Sequence, residues 1–190
     1  MDRLRLYAEL LTKWQKKVNL IAPDTLRSLW SRHFLDSHQL LQAAAAPGGL
    51  WLDLGSGAGF PGLYCAIVGM DRNPDARFEL IDSDTRKCAF LREVARQTET
   101  PVQITTARAE VVPPRAAAVV SARALAPLPT LLPLVRRHMA QDGIALLQKG
   151  ANHLAELESV RNHWQMEVDI RPSITAPGAV VLQIRNLAHA

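Results

Sequence analysis

Cysteine is scarce in this chain of 190 residues: Cys65 and Cys88 are the two present. They have no metal-ligand spacing and no cysteine or histidine company at such a spacing, so both read as buried thiols. Long apolar runs are also missing. Nothing approaches the roughly 20 residues that span a bilayer, and the opening MDRLRLYAELLTKW is charged throughout, unlike a signal peptide. No membrane association and a cytoplasmic location are the expectation. The six histidines are scattered: His138, His153, His163 and His189 show no ligand spacing, so no metal is expected. There is no internal repeat, and no low-complexity tract beyond short alanine runs. A hydrophobic content of 48% on this length is enough for one domain with a real core.

Charge of one sign is not abundant either, with 22 Lys+Arg against 18 Asp+Glu and a net of +4. It is uneven, however. Residues 1–40 hold seven bases (Arg3, Arg5, Lys13, Lys16, Lys17, Arg27, Arg32) and four acids, so three of the four excess charges lie there. Either a solvated helix face or a weak nucleic-acid surface accounts for that surplus.

Periodicity places Leu4, Tyr7, Leu10, Leu11 and Trp14 on one stripe of a helix over 2–17, with Lys13, Lys16 and Lys17 off it. Asp24 can cap a second helix running to about Leu41, and AAAAPGG at 43–49 breaks the chain. This predicts an N-terminal helical cap, 1–48, ahead of a core, 49–190, in a single domain. In the core, strand-like runs (LWLDL, RFELID, VQITTA, AAVVSA, GIALLQ, 164–171, 179–185) alternate with helices at 60–70, 84–97, 127–139 and 152–162. The alternation predicts a mostly parallel seven-stranded sheet with helices on both faces, in which ligands sit beyond the carboxyl ends of the strands.

The stretch WLDLGSGAGFPG, 51–62, follows the first such run. Gly57, Gly59 and Gly62 fit the G-x-G-x-x-G of dinucleotide binders, while Asp53, Gly55, Gly57 and Gly59 fit the D-x-G-x-G-x-G loop of S-adenosylmethionine (SAM) enzymes. Pro61 removes an amide donor that a pyrophosphate would want at the helix start. Asp53 would repel a pyrophosphate and suits a cationic ligand. Asp82, at the end of the next strand, can accept both hydroxyls of a ribose and fits either cofactor; capping the helix at 84 is its plainer role.

Several separated motifs occur in a familiar order: KWQKKVNLIA at 13–22, RHFLDS at 32–37, LGSGAGFPG at 54–62, LIDSDTRKCAFL at 80–91, ARAE at 107–110, SARA at 121–124 and QKG at 148–150. On these the chain resembles the RsmG (GidB) family of bacterial methyltransferases from about residue 9 to 185. The resemblance implies a Rossmann-like class I SAM-dependent α/β fold and methylation of the N7 of a guanine in 16S ribosomal RNA, with the RNA or the small ribosomal subunit as partner and the protein acting as a monomer. It implies Gly55, Gly57 and Phe60 around the methionine part of SAM, Asp82 on the ribose, Ala109 and Glu110 at the adenine, and Arg123 near cofactor and substrate together. Arg32 and His33 would face the RNA or the cofactor pocket, and Lys149 would meet a phosphate. One departure is TAPGAVV at 175–181, where many family members carry a basic residue and a histidine just before the last strand; another is VNL in place of YNL, leaving Asn19 as the matching polar residue.

Missing motifs narrow the chemistry. An Asn/Asp-Pro-Pro-aromatic loop for exocyclic amine methylation is absent after the fourth strand, where the chain reads SARALAPL, and neither cysteine sits at a strand end as a nucleophile for cytosine C5. Guanine N7 needs neither, because its lone pair carries no proton and alignment suffices. No residue stands out as a catalytic group; Arg123 is the nearest candidate. A SAM enzyme acting on a small molecule or protein, and a nicotinamide oxidoreductase or nucleoside-binding module, are the alternatives that residues alone leave open.

Overall fold

A computed structural model describes all residues except 45–47 and 74, so the chain break expected at 43–49 falls partly outside the described residues. Seven strands form one sheet: β1 (Gly49–Leu54), β2 (Ala76–Asp82), β3 (Gln103–Thr106), β4 (Ala117–Arg123), β5 (Met139–Lys149), β6 (Trp164–Pro172) and β7 (Val180–His189). Their order is β3-β2-β1-β4-β5-β7-β6. The first five are parallel, and β7 runs antiparallel to both its neighbours. Strand order reverses direction between β1 and β4, the position where open α/β sheets leave a crevice at their carboxyl edge.

The six helices are α1 (Asp2–Gln15), α2 (Asp36–Ala43), α3 (Gly62–Gly69), α4 (Thr85–Gln97), α5 (Leu128–His138) and α6 (His153–Val160). Alternation along the strands sorts them onto two faces. Trp51, Phe78, Leu80, Val119 and Leu146 point to the layer of α1 to α4. Leu52, Leu54, Ile81, Val120 and Leu147 point to α5 and α6. Central strands are therefore buried on both sides and read as continuous apolar runs, whereas β6 at the edge is largely exposed on its outer half. Among the described residues no helix is long and apolar enough to cross a membrane.

The apolar stripe expected on the first helix is real: Tyr7, Leu10 and Leu11 are buried, and Leu4 and Trp14 pack against the same cluster. Lys13, Lys16 and Lys17 lie off it and are exposed. The Tyr7 ring stacks on Phe60 at 5.3 Å between centroids and touches Phe34 and Phe90, and its hydroxyl donates to the carbonyl of Ala58. The N-terminal helix thus braces the glycine loop from below.

The single helix expected from Asp24 to Leu41 is instead three pieces: a 3-10 turn (Pro23–Ser28), a π turn (Trp30–Leu35) and α2. Asp24 caps nothing; the N-cap position is Ala22, with Pro23 in the first turn. Threonine and serine hydroxyls bond backwards to carbonyls, Thr25 to Ala22 (2.7 Å) and Ser37 to His33 (2.7 Å), which is the local competition that widens and bends helices. Other bounds move by a few residues: the helix expected from 60 begins at Gly62, and β5 begins at Met139 rather than Gly143.

Replacing Tyr7 by Phe keeps the stacked ring and removes the hydroxyl that satisfies Ala58. Urea unfolding of Tyr7→Phe should show a loss of about 1 kcal/mol; wild-type stability would mean that water replaces this bond at no cost.

Candidate functional site

Two cavities open side by side at the carboxyl edge of the sheet, and Ala124 and Leu125, just after β4, line both. The smaller, of about 310 Å³, is walled by Gly55 and Gly57 after β1, Asp82 after β2, and Ala109 and Glu110 after β3. These are five of the seven residues whose cofactor role the motifs implied, and the structure brings them together. The larger cavity, of about 680 Å³, lies over β4 and β5 beneath the N-terminal turns.

The smaller cavity is shaped by the glycine loop. Gly55, Gly57 and Gly59 have φ of 66°, 58° and 93°, conformations that a side chain strains. A Cβ on Gly57 would meet only the Gly55 carbonyl, at an ordinary 3.8 Å, whereas on Gly55 it would come within 2.5 Å of Leu125. The Asp82 carboxylate is held by two amides, accepting from Gly57 N (2.7 Å) on Oδ2 and from Asp84 N (2.8 Å) on Oδ1. It does not cap α4. Asp84 does that, accepting from Arg86 N and Lys87 N. Asp82 is left oriented at the cavity wall with lone pairs for a pair of hydroxyls. His138, buried at the end of α5, bonds the Ala109 carbonyl through Nε2 (2.9 Å) and fixes that turn from behind.

A pyrophosphate finds no such welcome. At the start of α3 the first-turn donors are already committed: Leu63 N and Tyr64 N donate to the Gly59 carbonyl, and Cys65 N to Pro61. The Gly62 amide faces the Asp53 carboxylate, in a contact too loose to saturate Oδ2. A dinucleotide needs these amides free; a nucleoside with a sulfonium does not. The cavity therefore fits a nucleoside such as that of SAM, with the Asp82 carboxylate and the Ala109–Glu110 turn on its wall.

Asp53 has a different place from the one expected of it. It is fully buried behind the loop and touches no cavity. Its Oδ1 accepts from the Ser121 hydroxyl at 2.6 Å, and Ser121 in turn accepts from Trp51 Nε1 at 2.9 Å. Burial raises its pKa to about 6. It ties β1 to β4 and to the start of α3.

Phe60 and Arg123 also move. Phe60 is buried in the aromatic cluster and lines neither cavity. Its ring supports the Arg123 guanidinium, 5.3 Å from the centroid. Arg123 lines the larger cavity and not the smaller one. Burial disfavours its charge, and Asp36 offsets that. Nη1 donates to Asp36 Oδ2 (3.4 Å) and to the Arg32 carbonyl (3.4 Å), and Nη2 donates to His33 Nδ1 (3.0 Å). Since arginine only donates, Nδ1 is the acceptor, and the His33 proton sits on Nε2, donating to Thr25 Oγ1 (2.8 Å), whose own hydrogen goes to the Ala22 carbonyl. Burial and Arg123 lower the His33 pKa to about 4, so the ring is neutral at pH 7.

The residue that organises this cavity is one the sequence left in the background. Asp36, inside RHFLDS, accepts from Gln148 Nε2 (2.7 Å) as well as Arg123 on Oδ2, and from Gln39 Nε2 (2.8 Å) and Thr175 Oγ1 (2.5 Å) on Oδ1. Lys149, expected to meet a phosphate, has a side chain only 8% exposed, paired with Glu156 at 2.7 Å and donating to the Ala126 carbonyl at 2.8 Å. Glu156 also accepts from Leu128 N, so this pair pins α5 and α6 to the loop after β4. Lys149 is thus an internal strut on the cavity wall. Arg32 alone among the basic residues of that wall is exposed. Thr175, within the departing stretch TAPGAVV, reaches Asp36 from the β6–β7 turn. Asn19, the residue left by VNL, is exposed.

Comparison with known proteins agrees with this architecture. The family model GidB, described as rRNA small subunit methyltransferase G, matches residues 1–184. Two similar curated relatives are both ribosomal RNA small subunit methyltransferase G. The protein of Paramagnetospirillum magneticum is 50% identical, over 100% of this chain and 90% of its own length. That of Cereibacter sphaeroides is 46% identical, over 99% and 91%. Among solved structures, a mutant of MtNAS in complex with S-adenosylmethionine superposes with a TM-score of 0.64 at 16% identity, covering 96% of this chain and 74% of that one. A ribosomal protein L11 methylase from Lactobacillus delbrueckii subsp. bulgaricus gives 0.63 at 18% identity, over 78% and 75%. At these identities the solved structures speak for the fold, a Rossmann-like methyltransferase fold.

Asp82→Ala should weaken SAM binding by about 1–3 kcal/mol in calorimetry, because two hydroxyls lose a charged acceptor; an unchanged affinity would remove Asp82 from the ribose. A second expectation concerns pH. Because folding raises the Asp53 pKa from 3.8 to about 6, the folded state keeps a proton that the unfolded state has released, and this contribution to stability declines as pH rises through that window. His33, lowered from 6.5 to about 4, contributes the opposite slope. In Asp53→Asn only the declining part disappears, so melting temperature relative to wild type should climb between pH 4 and pH 6. A flat difference would place the Asp53 pKa near its ordinary value.

Proposed function

The chain belongs to the GidB family of rRNA small subunit methyltransferases, and from that premise we propose that it transfers a methyl group from SAM to the N7 of a guanine in 16S ribosomal RNA, with the base in the larger cavity and the cofactor in the smaller. The observation that carries this reading is the shared wall: the nucleoside cavity and a second, polar cavity meet at Ala124 and Leu125, so two ligands placed in them touch end to end. SAM, when bound, supplies an electrophilic methyl group on a sulfonium.

The chain's own residues then have to position and to balance charge. N7 attacks through a lone pair in the base plane, and no proton leaves, so no general base is required. That agrees with the neutral His33, whose Nδ1 is occupied by Arg123 and unavailable as a base. Arg123, clamped between Asp36, His33 and the Phe60 ring, is a rigid donor suited to the O6 next to N7. The buried cations of the wall, Arg123 and Lys149, are each paired with an acid, Asp36 and Glu156. A base that becomes cationic on methylation therefore meets little uncompensated positive charge. Action on ribosomal RNA is consistent with a cytoplasmic location.

For the RNA path outside the cavity, Lys13, Lys16 and Lys17 on the open side of α1, with Arg27 and exposed Arg32, form the basic face. The decisive assay is transfer of tritiated methyl from SAM to 16S RNA, or to small subunits, from cells lacking this modification. Label recovered as 7-methylguanosine is expected; label confined to protein or to another base would overturn the assignment. Changing Lys13, Lys16 and Lys17 together to Gln should leave SAM affinity unaltered, weaken RNA binding and flatten the slope of log affinity against log salt by roughly one to three units. A wild-type slope would reduce these lysines to solubilising charges.

A further inference from the structure

One aromatic side chain stands apart from the apolar bookkeeping of the fold. Trp51 and Trp164 are buried and Trp14 is half-buried, but Trp30, first residue of the π turn, is 47% exposed. Its ring is not loose. It meets Phe34 edge-on, with centroids 4.7 Å apart and planes at 69°, and Phe34 is buried against Tyr7 and Phe60. An edge contact on one side leaves ring surface open to solvent. Around it lies a shallow depression whose charged residues are Lys13, Lys16 and Arg27 against the single acid Glu9. A rigid aromatic plane among cations is the arrangement that binds unpaired nucleotides, stacking the base while neighbouring cations follow the phosphates.

Position ties this patch to the site. Two residues further along the same turn are Arg32 and then His33, both on the wall of the larger cavity. The aromatic, basic patch and one wall of that cavity are therefore carried by the same short turn of chain.

We propose that Trp30 is a stacking platform for an unpaired nucleotide close to the methylated guanine, so that the enzyme selects single-stranded RNA around its target. This rests on the ribosomal RNA reading above. It goes beyond that reading in assigning a base contact, and a requirement for unpaired structure, to a residue outside both cavities.

The test compares wild type with Trp30→Ala and Trp30→Phe, using 16S RNA from unmodified cells and single-stranded and duplex RNA oligomers of equal length. Trp30→Ala should bind the 16S RNA roughly 5- to 100-fold more weakly, with the salt slope and SAM affinity of wild type, since no phosphate contact is lost. Trp30→Phe should recover most of the affinity. Single-stranded oligomers should quench the tryptophan fluorescence of wild type and not that of Trp30→Phe, and duplex should quench neither. Wild-type RNA affinity in Trp30→Ala, or equal quenching by duplex, would overturn the proposal. Loss of binding to assembled subunits alone, with binding to naked RNA intact, would overturn it in favour of a ribosomal protein contact. If wild type itself neither binds nor methylates the RNA, it is the underlying function that has failed, and the two results are told apart by the wild-type arm.

Discussion

The glycine loop depends on one buried carboxylate. Asp53 leaves β1 with no solvent to stabilise its charge, and it is tolerated there because Ser121 donates to it and the start of α3 points at it. That placement holds strand end, neighbouring strand and helix start in fixed relation. The seven residues between strand end and helix start, 55–61, then have to turn sharply, which requires glycine at the positions with positive φ. It also engages the Gly62 amide, while the next α3 amides bond back to Gly59 and Pro61, so the helix start offers no free cradle for a phosphate.

The second constraint is the burial of Arg123. An arginine carried by the central strand β4 needs a partner acid and donor acceptors, and these come from outside the sheet: Asp36 and the Arg32 carbonyl and His33 ring from the N-terminal turns, with Phe60 beneath. The N-terminal segment is accordingly part of the site. It supplies one wall of the larger cavity through Asp36 and supports the glycine loop through Tyr7, so the two cavities share one aromatic foundation. On the far side the Lys149–Glu156 pair fixes the loop after β4 that separates them.

Much of this was legible in the chain. Alternating apolar runs and helices specified the sheet and its two covered faces, and five of the residues expected at the cofactor do converge on one cavity: Gly55, Gly57, Asp82, Ala109 and Glu110. The weight of each member within a motif was not legible. Arg32, His33 and Lys149 do line the larger cavity, but that Asp36 in RHFLDS and Gln148 in QKG bond each other across it, and that the Phe60 ring lies under Arg123, was not foreseen. Each point concerns which way a polar or aromatic side chain points and whether a cation is already paired, and neither is encoded in local spacing. The broken second helix was missed because hydroxyl back-bonding and the π turn leave the apolar period almost unchanged.

By itself the sequence determined the elements whose cause is local. These are the amphipathic stripe of α1, the doubly buried strands and the glycine positions at which a strand end must turn, since each follows from the chemistry of residues a few positions apart. Only the tertiary structure decided which charges are neutralised inside the protein and which are left for a ligand. Asp36 and Arg123 are 87 residues apart and Asp36 and Thr175 are 139 apart. Whether such groups meet depends on strand order and on how the N-terminal turns dock across the sheet, and a buried charge acquires its role from the partner it finds there.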